Sequence, residues 1–154
     1  MTAKDSIVIL MADDDEDDVL LTRKALRQGK LLNELYCVGD GEELMDYLLR
    51  QGAYTDAAKA PRPGVILLDL NMPRKDGREA LKEIKANPDL NDIPIVVFTT
   101  SRAEEDIYRT YKLGVNSFIT KPVTFERLIE VMQMIGKYWF EIVTLPPEEG
   151  KGGY

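Results

Sequence analysis

Acidic, hydroxyl and amine side chains follow apolar runs of this sequence at the points where the runs end. Asp13 and Asp14 follow the first run, and Asp69, Thr99 and Lys121 follow three later ones. Short runs rich in Val, Ile and Leu between turn signals are typical of strands buried on both faces. Where such strands are parallel, their carboxyl ends meet at one edge of the sheet, which is where open α/β sheets bind ligands. We therefore expect three carboxylates, a hydroxyl and an ammonium group in one crevice.

Electrostatic repulsion limits what such a crevice can be. At about 4 Å and an effective dielectric constant near 20, each pair of carboxylates costs roughly 4 kcal/mol, and one lysine cannot neutralise three of them. A divalent cation can, and a site made of oxygen ligands and water suits Mg²⁺ or Mn²⁺. Asp69 alone would also fit a strand end that water solvates, but the residues at the other strand ends favour a cation site.

An aspartate beside a bound cation can attack phosphorus and form an acyl phosphate. Phosphoryl transfer depends mainly on positioning and charge neutralisation, so the cation and Lys121 would hold the phosphoryl oxygens while Thr99 donates a hydrogen bond to one. No residue of the sequence stands out as a dedicated general base. We therefore expect a phosphoryl group on Asp69 to persist, which suits a switch better than an enzyme that turns over.

The composition of the 154-residue chain excludes several classes of function. A formal net charge of −7 argues against nucleic acid as a partner. The absence of histidine excludes histidine-based acid–base catalysis and histidine metal sites, and the single cysteine, Cys37, cannot form an internal disulfide. Because no apolar run has the length of a membrane span or of a signal peptide, we expect a cytoplasmic protein without a membrane partner.

Strand and helix patterns alternate five times along the chain, and these elements must position the crevice. The strand patterns cover residues 7–12, 35–38, 65–70, 93–98 and 117–120. Such alternation indicates a parallel sheet with helices on both faces. We predict the α/β class, with a doubly wound five-stranded parallel sheet of flavodoxin-like order 2-1-3-4-5, in which strands one and three are neighbours. Residues 5–143 would form this domain, and the polar, turn-rich residues 144–154 a tail.

Three helices carry N-terminal signals in the sequence. Asp40 with Glu43, and Ser101 with Glu104, have the spacing of capping boxes. Thr124 is placed to cap the last helix, which the pattern extends to about residue 143.

The last helix has apolar residues on two sides. One face is wide enough to pack on the sheet and contains Phe125, Leu128, Ile129, Met132, Ile135 and Trp139. A second stripe with spacings of three, four and four residues contains Val131, Met134, Tyr138 and Ile142. Because a helix that is apolar on two sides needs a second partner, we predict a symmetric homodimer through this stripe. The alternative is that the tail folds back over it.

The pattern as a whole resembles the receiver domain of two-component response regulators. The motifs that carry the resemblance cover residues 7–140 and are the acidic pair after the first strand, the run Leu-Leu-Asp-Leu-Asn-Met-Pro-x-x-Asp-Gly around Asp69, Thr99 after Phe98, and Lys121 before Pro122. The resemblance implies that a histidine kinase phosphorylates Asp69. It also implies that the domain itself is not an enzyme beyond self-phosphorylation from a phosphodonor and slow self-dephosphorylation.

The resemblance assigns roles to individual residues. Asp14, Asp69 and the backbone carbonyl of Asn71 would ligate Mg²⁺ (or Mn²⁺), and Asp13 would act through a water molecule. In the phosphorylated state Lys121 would pair with the phosphoryl group. Thr99 would swing toward that group, and Phe118 would turn inward when it does. The bond before Pro122 would be cis, as it often is in this family.

A narrower resemblance concerns the small stand-alone regulators that partner cyanobacterial phytochrome histidine kinases. It rests on the ADDDEDD opening, the long loop before the third strand, the TTS after the fourth, and the ending WFEIV followed by LPP. It implies a phytochrome-type kinase as partner and a homodimer through the last helix.

Two functions of other classes remain as alternatives. Aspartate-nucleophile phosphatases also use Asp, Mg²⁺, Thr and Lys, but they carry a second aspartate two residues after the nucleophile, where this chain has Asn71. A flavin-binding module shares the sheet order, yet the acidic residues after the first strand would repel its phosphate.

Overall fold

The computed structural model describes residues 7–138, in which strands and helices alternate along the chain. The strands are β1 (Ile9–Ala12), β2 (Leu35–Val38), β3 (Val65–Leu68), β4 (Ile95–Thr99) and β5 (Ser117–Thr120). The helices are α1 (Glu16–Gln28), α2 (Gly41–Leu49), α3 (Gly77–Ala86), α4 (Glu104–Leu113) and α5 (Phe125–Ile135), and a short 3₁₀ turn covers Gly52–Tyr54. No helix among the described residues is long and apolar enough to cross a membrane.

All five strands are parallel, and their order is β2-β1-β3-β4-β5. The predicted fold class and strand order are therefore confirmed. β1 and β3 pair directly, with Ala12 opposite Leu68, so the residues after these two strands are neighbours. This is the point where the direction of winding changes, and ligand sites of such sheets lie there.

Alternate residues of the central strands pack into two separate cores, one on each face of the sheet. One core includes Leu10, Ile66 and Val97 together with residues of α2 and α3, and the other includes Met11, Leu67 and Phe98 together with residues of α1 and α5. All eight residues of β1 and β3 and all five residues of β4 are buried. A continuous apolar run is what a strand covered on both faces requires.

Two of the three predicted helix caps are confirmed, and one is wrong. Asp40 Oδ1 accepts a hydrogen bond from the Glu43 N–H at 2.8 Å, and Thr124 Oγ1 accepts one from the N–H of Arg127 at 3.2 Å. α4 instead begins after Ala103, which offers no side-chain cap, because Ser101 Oγ donates to Asp106 Oδ2 at 2.7 Å. The described peptide bonds are all trans, so the implied cis bond before Pro122 is not observed.

The apolar stripe predicted on the last helix needs one correction. Val131 is only 3% exposed and belongs to the core shared with α1. It lies three residues after Leu128 and four before Ile135, so helical geometry places it on the same face as those buried side chains. Met134 and Tyr138 are exposed, at 48% and 67%. Ile142, Trp139, the predicted end of the helix and the tail lie outside the described residues.

Candidate functional site

Backbone hydrogen bonds continue the sheet for one residue beyond β1, β3 and β5 and thereby bring the predicted residues together. The N–H of Asp69 donates to Ala12 O at 3.0 Å, and the N–H of Lys121 donates to Thr99 O at 2.8 Å. The N–H of Asp13 donates to the carbonyl of the last β2 residue at 3.0 Å. The acidic residues after β1 and β3, the last residue of β4 and the lysine after β5 therefore share one edge.

A close backbone contact fixes the chain immediately after Asp69. A Cβ atom on Gly77, the first residue of α3, would lie 2.2 Å from the carbonyl oxygen of Asp69 and 2.8 Å from Leu70 Cα. No real Cβ approaches backbone atoms this closely, so only glycine allows α3 to begin against the end of β3. The Gly77 N–H donates to the Leu70 carbonyl at 3.0 Å and closes this loop.

Asp69 is 5% exposed, and both of its carboxylate oxygens have partners. Oδ1 accepts hydrogen bonds from Thr99 Oγ1 at 2.7 Å and from the Asn71 N–H at 3.2 Å. Oδ2 accepts one from Lys121 Nζ at 3.3 Å. The Thr99 hydroxyl thus contacts Asp69 itself in this structure, and its swing toward a phosphoryl group stays a prediction for the phosphorylated state.

Three carboxylates lie together as the sequence predicted. Oxygen atoms of Asp13, Asp14 and Asp69 all lie within 4.8 Å of one another. Asp14 is exposed, whereas Asp13 is 4% exposed. Burial raises the pKa of Asp13 to about 6, against the opposing effect of Lys121. The cluster is therefore costly without a counter-ion beyond the lysine.

One buried oxygen supports a cation at this cluster. Asp13 Oδ2 lies 2.7 Å from Lys121 Nζ, yet among the described residues it is the buried side-chain atom without a hydrogen-bond partner of good geometry. This oxygen keeps a free lone pair, and the carboxylates of Asp14 and Asp69 lie beside it. Together the three side chains offer only hard oxygen ligands. The residues present thus fit Mg²⁺ or Mn²⁺, with Asp14 and Asp69 as side-chain ligands.

Lys121 is the centre of what we call the lysine cluster, formed by Lys121, Asp13, Asp18 and Asp69. Lys121 Nζ lies 2.7 Å from Asp18 Oδ2, and its side chain is only 9% exposed. Burial alone would lower the pKa of Lys121, but the carboxylates of Asp13 and Asp18 raise it above its ordinary value. The ammonium group therefore stays charged.

Asp18 was missed from the sequence, where its charge was explained by the N-terminal dipole of α1. Asp18 and Lys121 lie 103 positions apart in sequence, so no local pattern could have revealed their contact.

A second ion-pair group, which contacts the loop directly after Asp69, was also missed. We call it the arginine bridge, formed by Arg78, Asp106 and Ser101. Arg78 donates to both oxygens of Asp106 at 2.7 Å, and the Ser101 hydroxyl donates to Asp106 Oδ2 at 2.7 Å. The Arg78 hydrogen bond holds the pKa of Asp106 down at about 2.

The arginine bridge also reaches the loop after β3. Arg78 donates to the Leu70 carbonyl at 3.3 Å and to Asn71 Oδ1 at 3.4 Å. It thereby links that loop to α4. Arg78 and Asp106 lie 28 positions apart in sequence, so no local pattern could have revealed the contact between them.

Phe118 lies within β5, is partly buried and packs against the core that includes Val97. Its N–H donates to the hydroxyl of Tyr111 on α4 at 3.1 Å.

The chain is similar to known proteins over almost the whole described region. Residues 9–133 match the family described as response regulator receiver domain. Response regulator Rcp1 of Synechocystis sp. is 45% identical over 139 residues, which cover 90% of this chain and 92% of Rcp1.

Two solved structures extend the comparison. The phosphorylated cyanobacterial phytochrome response regulator RcpA superposes with a TM-score of 0.83 at 42% identity, and the Mn²⁺-bound form of Rcp1 with 0.82 at 45% identity. Each comparison covers 92% of this chain and 99% of the other. The chain therefore belongs to the response regulator receiver domain family.

Proposed function

We propose that this protein is a single-domain response regulator of a two-component phosphorelay, in which a histidine kinase phosphorylates Asp69. One observation carries the proposal: a buried carboxylate at the end of the middle strand has a hydroxyl 2.7 Å from one oxygen and an ammonium 3.3 Å from the other. Two further carboxylates beside it complete a cation site. These are the groups that phosphoryl transfer to an aspartate needs.

The proposed reaction transfers a phosphoryl group from a phosphohistidine of the kinase. An Asp69 carboxylate oxygen attacks phosphorus, the bond between phosphorus and the imidazole nitrogen breaks, and that nitrogen keeps the electron pair and is protonated from solvent. The Thr99 hydroxyl and Lys121 ammonium already contact the Asp69 oxygens, so they are in place for the negative charge of the phosphoryl group. Thr99 would then swing toward the phosphoryl group, and Phe118 and the β4–α4 loop would respond to that movement.

Mg²⁺ or Mn²⁺, when bound, would offset the negative charges of the carboxylates and of the phosphoryl oxygens. Asp14, Asp69 and the backbone carbonyl of Asn71 are its proposed ligands, and Asp13 would reach it through water. The Mn²⁺-bound form of Rcp1 is a related protein that holds such an ion.

Incubation with acetyl phosphate and Mg²⁺, followed by intact-mass measurement, tests the proposal. We expect a stable mass gain of one phosphoryl group in the wild type and none in Asp69→Asn. Asp92 is exposed and precedes β4, so it lies at the opposite end of that strand from Thr99. Asp92→Asn is therefore the matched control and should behave as the wild type does. Absence of the gain in the wild type would contradict the proposal.

The same incubation separates a phosphatase from a regulator. Continuous and fast release of inorganic phosphate would support the aspartate-nucleophile phosphatase. We expect slow release instead, because the residue two after Asp69 is Asn71, whose side-chain oxygen is 3.4 Å from Arg78 and cannot act as a general acid or base.

The partner kinase that we propose is a phytochrome-type histidine kinase in the cytoplasm. The support is the similarity to Rcp1 and to RcpA, which is described as a cyanobacterial phytochrome response regulator. Phosphotransfer assays with a purified phytochrome kinase and with a chemotaxis-type kinase would test the pathway. Faster transfer from the chemotaxis kinase would contradict it.

We also propose that the domain, residues 5–143, forms a homodimer through the last helix, with 144–154 as a tail. Met134 on α5 and Tyr138 in the π-helical turn that follows α5 are exposed large side chains. Val131 no longer belongs to the proposed interface because it is buried. Ile142 remains a proposed contact outside the described residues.

Sedimentation velocity at tens of micromolar tests the dimer. We expect Tyr138→Asp to be monomeric, because a carboxylate would be buried without a partner at the centre of the stripe. Tyr108→Asp on α4 is the matched control, since Tyr108 is 65% exposed and Tyr138 67%. A monomeric wild type would contradict the proposal.

A further inference from the structure

Lys121 donates its shorter hydrogen bond to a residue for which the proposed reaction has no use. Its Nζ lies 2.7 Å from Asp18 Oδ2 and 3.3 Å from Asp69 Oδ2. An ammonium group has three N–H bonds, and the third carboxylate around this one, Asp13, lies 2.7 Å away. The contact with Asp13 Oδ2 is not a hydrogen bond of good geometry, so Asp18 accepts the shorter of the two hydrogen bonds that Lys121 donates.

Asp18 differs from the other two carboxylates in its place and exposure. Its side chain is 31% exposed, whereas those of Asp13 and Asp69 are 1% and 6% exposed. It comes from the first turn of α1 and not from a strand end. Asp18 is thus the most solvent-accessible of the three carboxylates around Lys121, and it is not a member of the group that forms the proposed cation site.

We propose that Asp18 is a positioning residue that competes with phosphoryl oxygens for Lys121. The inference rests on the proposed function of Asp69. When a phosphoryl group arrives on Asp69, an oxygen of that group needs a donor, and the Asp18 contact is the one that Lys121 can release with least loss. Asp18 therefore sets how tightly the site holds a phosphoryl group.

Two physical effects predict that removal of the Asp18 charge strengthens the binding of a phosphoryl group. A donor of Lys121 becomes available, and a negative charge next to an incoming anion disappears. Lys121 itself would stay in the crevice, because Asp13 and Asp69 still contact it. Neutralising Asp18 should thus strengthen the binding of a phosphoryl analogue.

The helix start does not depend on the Asp18 side chain, so the substitution is expected to fold. The Asp18 N–H donates to Asp15 Oδ1, and its carbonyl accepts from the Thr22 hydroxyl at 2.8 Å. Both bonds use backbone atoms of Asp18. Asp18→Asn keeps the size of the side chain, and Asp18→Ser is a second variant.

Asp17 provides a matched control for charge. It lies in the same first turn of α1 and is exposed, and its carboxylate forms no ion pair with a described residue. Asp17→Asn therefore removes the same charge from the same helix end without touching Lys121.

Calorimetric titration with beryllofluoride, a phosphoryl analogue, at saturating Mg²⁺ tests the proposal. We expect Asp18→Asn to bind beryllofluoride roughly three- to tenfold more tightly than Asp17→Asn, the range of an ion pair that is partly exposed. A residue with only a structural role would lower stability and could not strengthen anion binding.

The outcomes distinguish this inference from the proposed function. If the wild type binds beryllofluoride and Asp18→Asn binds it no more tightly than Asp17→Asn, the role of Asp18 is overturned and Asp69 remains the phosphorylation site. If the wild type does not bind beryllofluoride with Mg²⁺ present, both are overturned.

Discussion

Two groups of charged residues flank Asp69, and they differ in how completely their charges are paired. In the lysine cluster one ammonium faces three carboxylates, and a buried oxygen of Asp13 has no hydrogen bond of good geometry. In the arginine bridge both oxygens of Asp106 are matched by the planar guanidinium of Arg78. The first group carries excess negative charge, whereas the second is close to saturated.

This difference indicates that the lysine cluster is a ligand site and that the arginine bridge is a structural connection. An incomplete group gains free energy when a cation joins it, so the lysine cluster is the side that responds to Mg²⁺ and to phosphoryl groups. A bidentate arginine–carboxylate pair already has its geometry satisfied. The arginine bridge therefore holds the loop after β3 against α4, and four predictions test the contrast.

The largest loss of stability is expected at Gly77, next to Arg78, where backbone packing and not charge holds α3 against the end of β3. Gly77→Ala would place a Cβ 2.2 Å from the Asp69 carbonyl oxygen, so β3 or α3 must move. We expect the free energy of unfolding in urea to fall by about 3 kcal/mol or more. Gly39→Ala is the control, since its Cβ would meet only Glu43 Oε1 at 3.6 Å, and it should cost less than about 1 kcal/mol. Equal costs for the two variants would contradict the close contact.

The second prediction concerns the excess charge of the lysine cluster. At Mg²⁺ concentrations about a hundredfold above the dissociation constant, the wild type should gain about 2.7 kcal/mol of unfolding free energy. Asp14→Asn should lose most of this gain, yet without Mg²⁺ it should be at least as stable as the wild type because one repulsive carboxylate is gone.

Thermal unfolding with and without Mg²⁺, compared with Asp17→Asn, measures the second prediction. Asp17 is an acidic neighbour outside the group of carboxylates that lie within 4.8 Å of one another. An equal Mg²⁺ shift in wild type and Asp14→Asn would remove Asp14 from the cation site.

The same contrast explains what the sequence could and could not predict. Residues such as Asp69, Thr99 and Lys121 could be placed because each follows a buried strand, and parallel strands must end at one edge. Asp106 and Arg78 could not, since their contact joins two helices through side chains whose sequence surroundings look like ordinary solvated faces. Val131 was misplaced because an apolar residue between two stripes fits either of them until the packing direction of the helix is known. Asp18 was given a sufficient local explanation that hid its long-range partner.

The third prediction tests the arginine bridge by protonation. The pKa of Asp106 is held at about 2, below its ordinary value of 3.8, so the ionised form is favoured by folding. Its contribution is fully present above the unfolded pKa and is lost as the pH falls toward 2. Asp106→Asn should therefore lower the unfolding free energy by about 1 to 2 kcal/mol at pH 7. The difference from wild type should shrink between pH 4 and 2.

Urea unfolding at pH 7 and at several values below pH 4 measures this difference. A gap between the two proteins that stays constant down to the lowest pH would mean that Asp106 contributes by packing and not by its charge.

The smallest effect is expected at an ion pair of the neighbouring residue, Glu105, which among the described residues has no further partners like those that surround Asp106. Glu105 pairs with Arg109 one turn later on α4 at 2.5 Å, and both side chains are about two thirds exposed. Since water and salt screen such a pair, Glu105→Gln should cost no more than about 0.5 kcal/mol, and 0.5 M NaCl should abolish the cost. Asp106→Asn, which removes a carboxylate from the adjacent position, should keep most of its cost in the same salt because its partner is fixed by several contacts. Equal salt sensitivity of the two variants would mean that the arginine bridge is an ordinary surface pair. It would then not be the structural connection that distinguishes it from the lysine cluster.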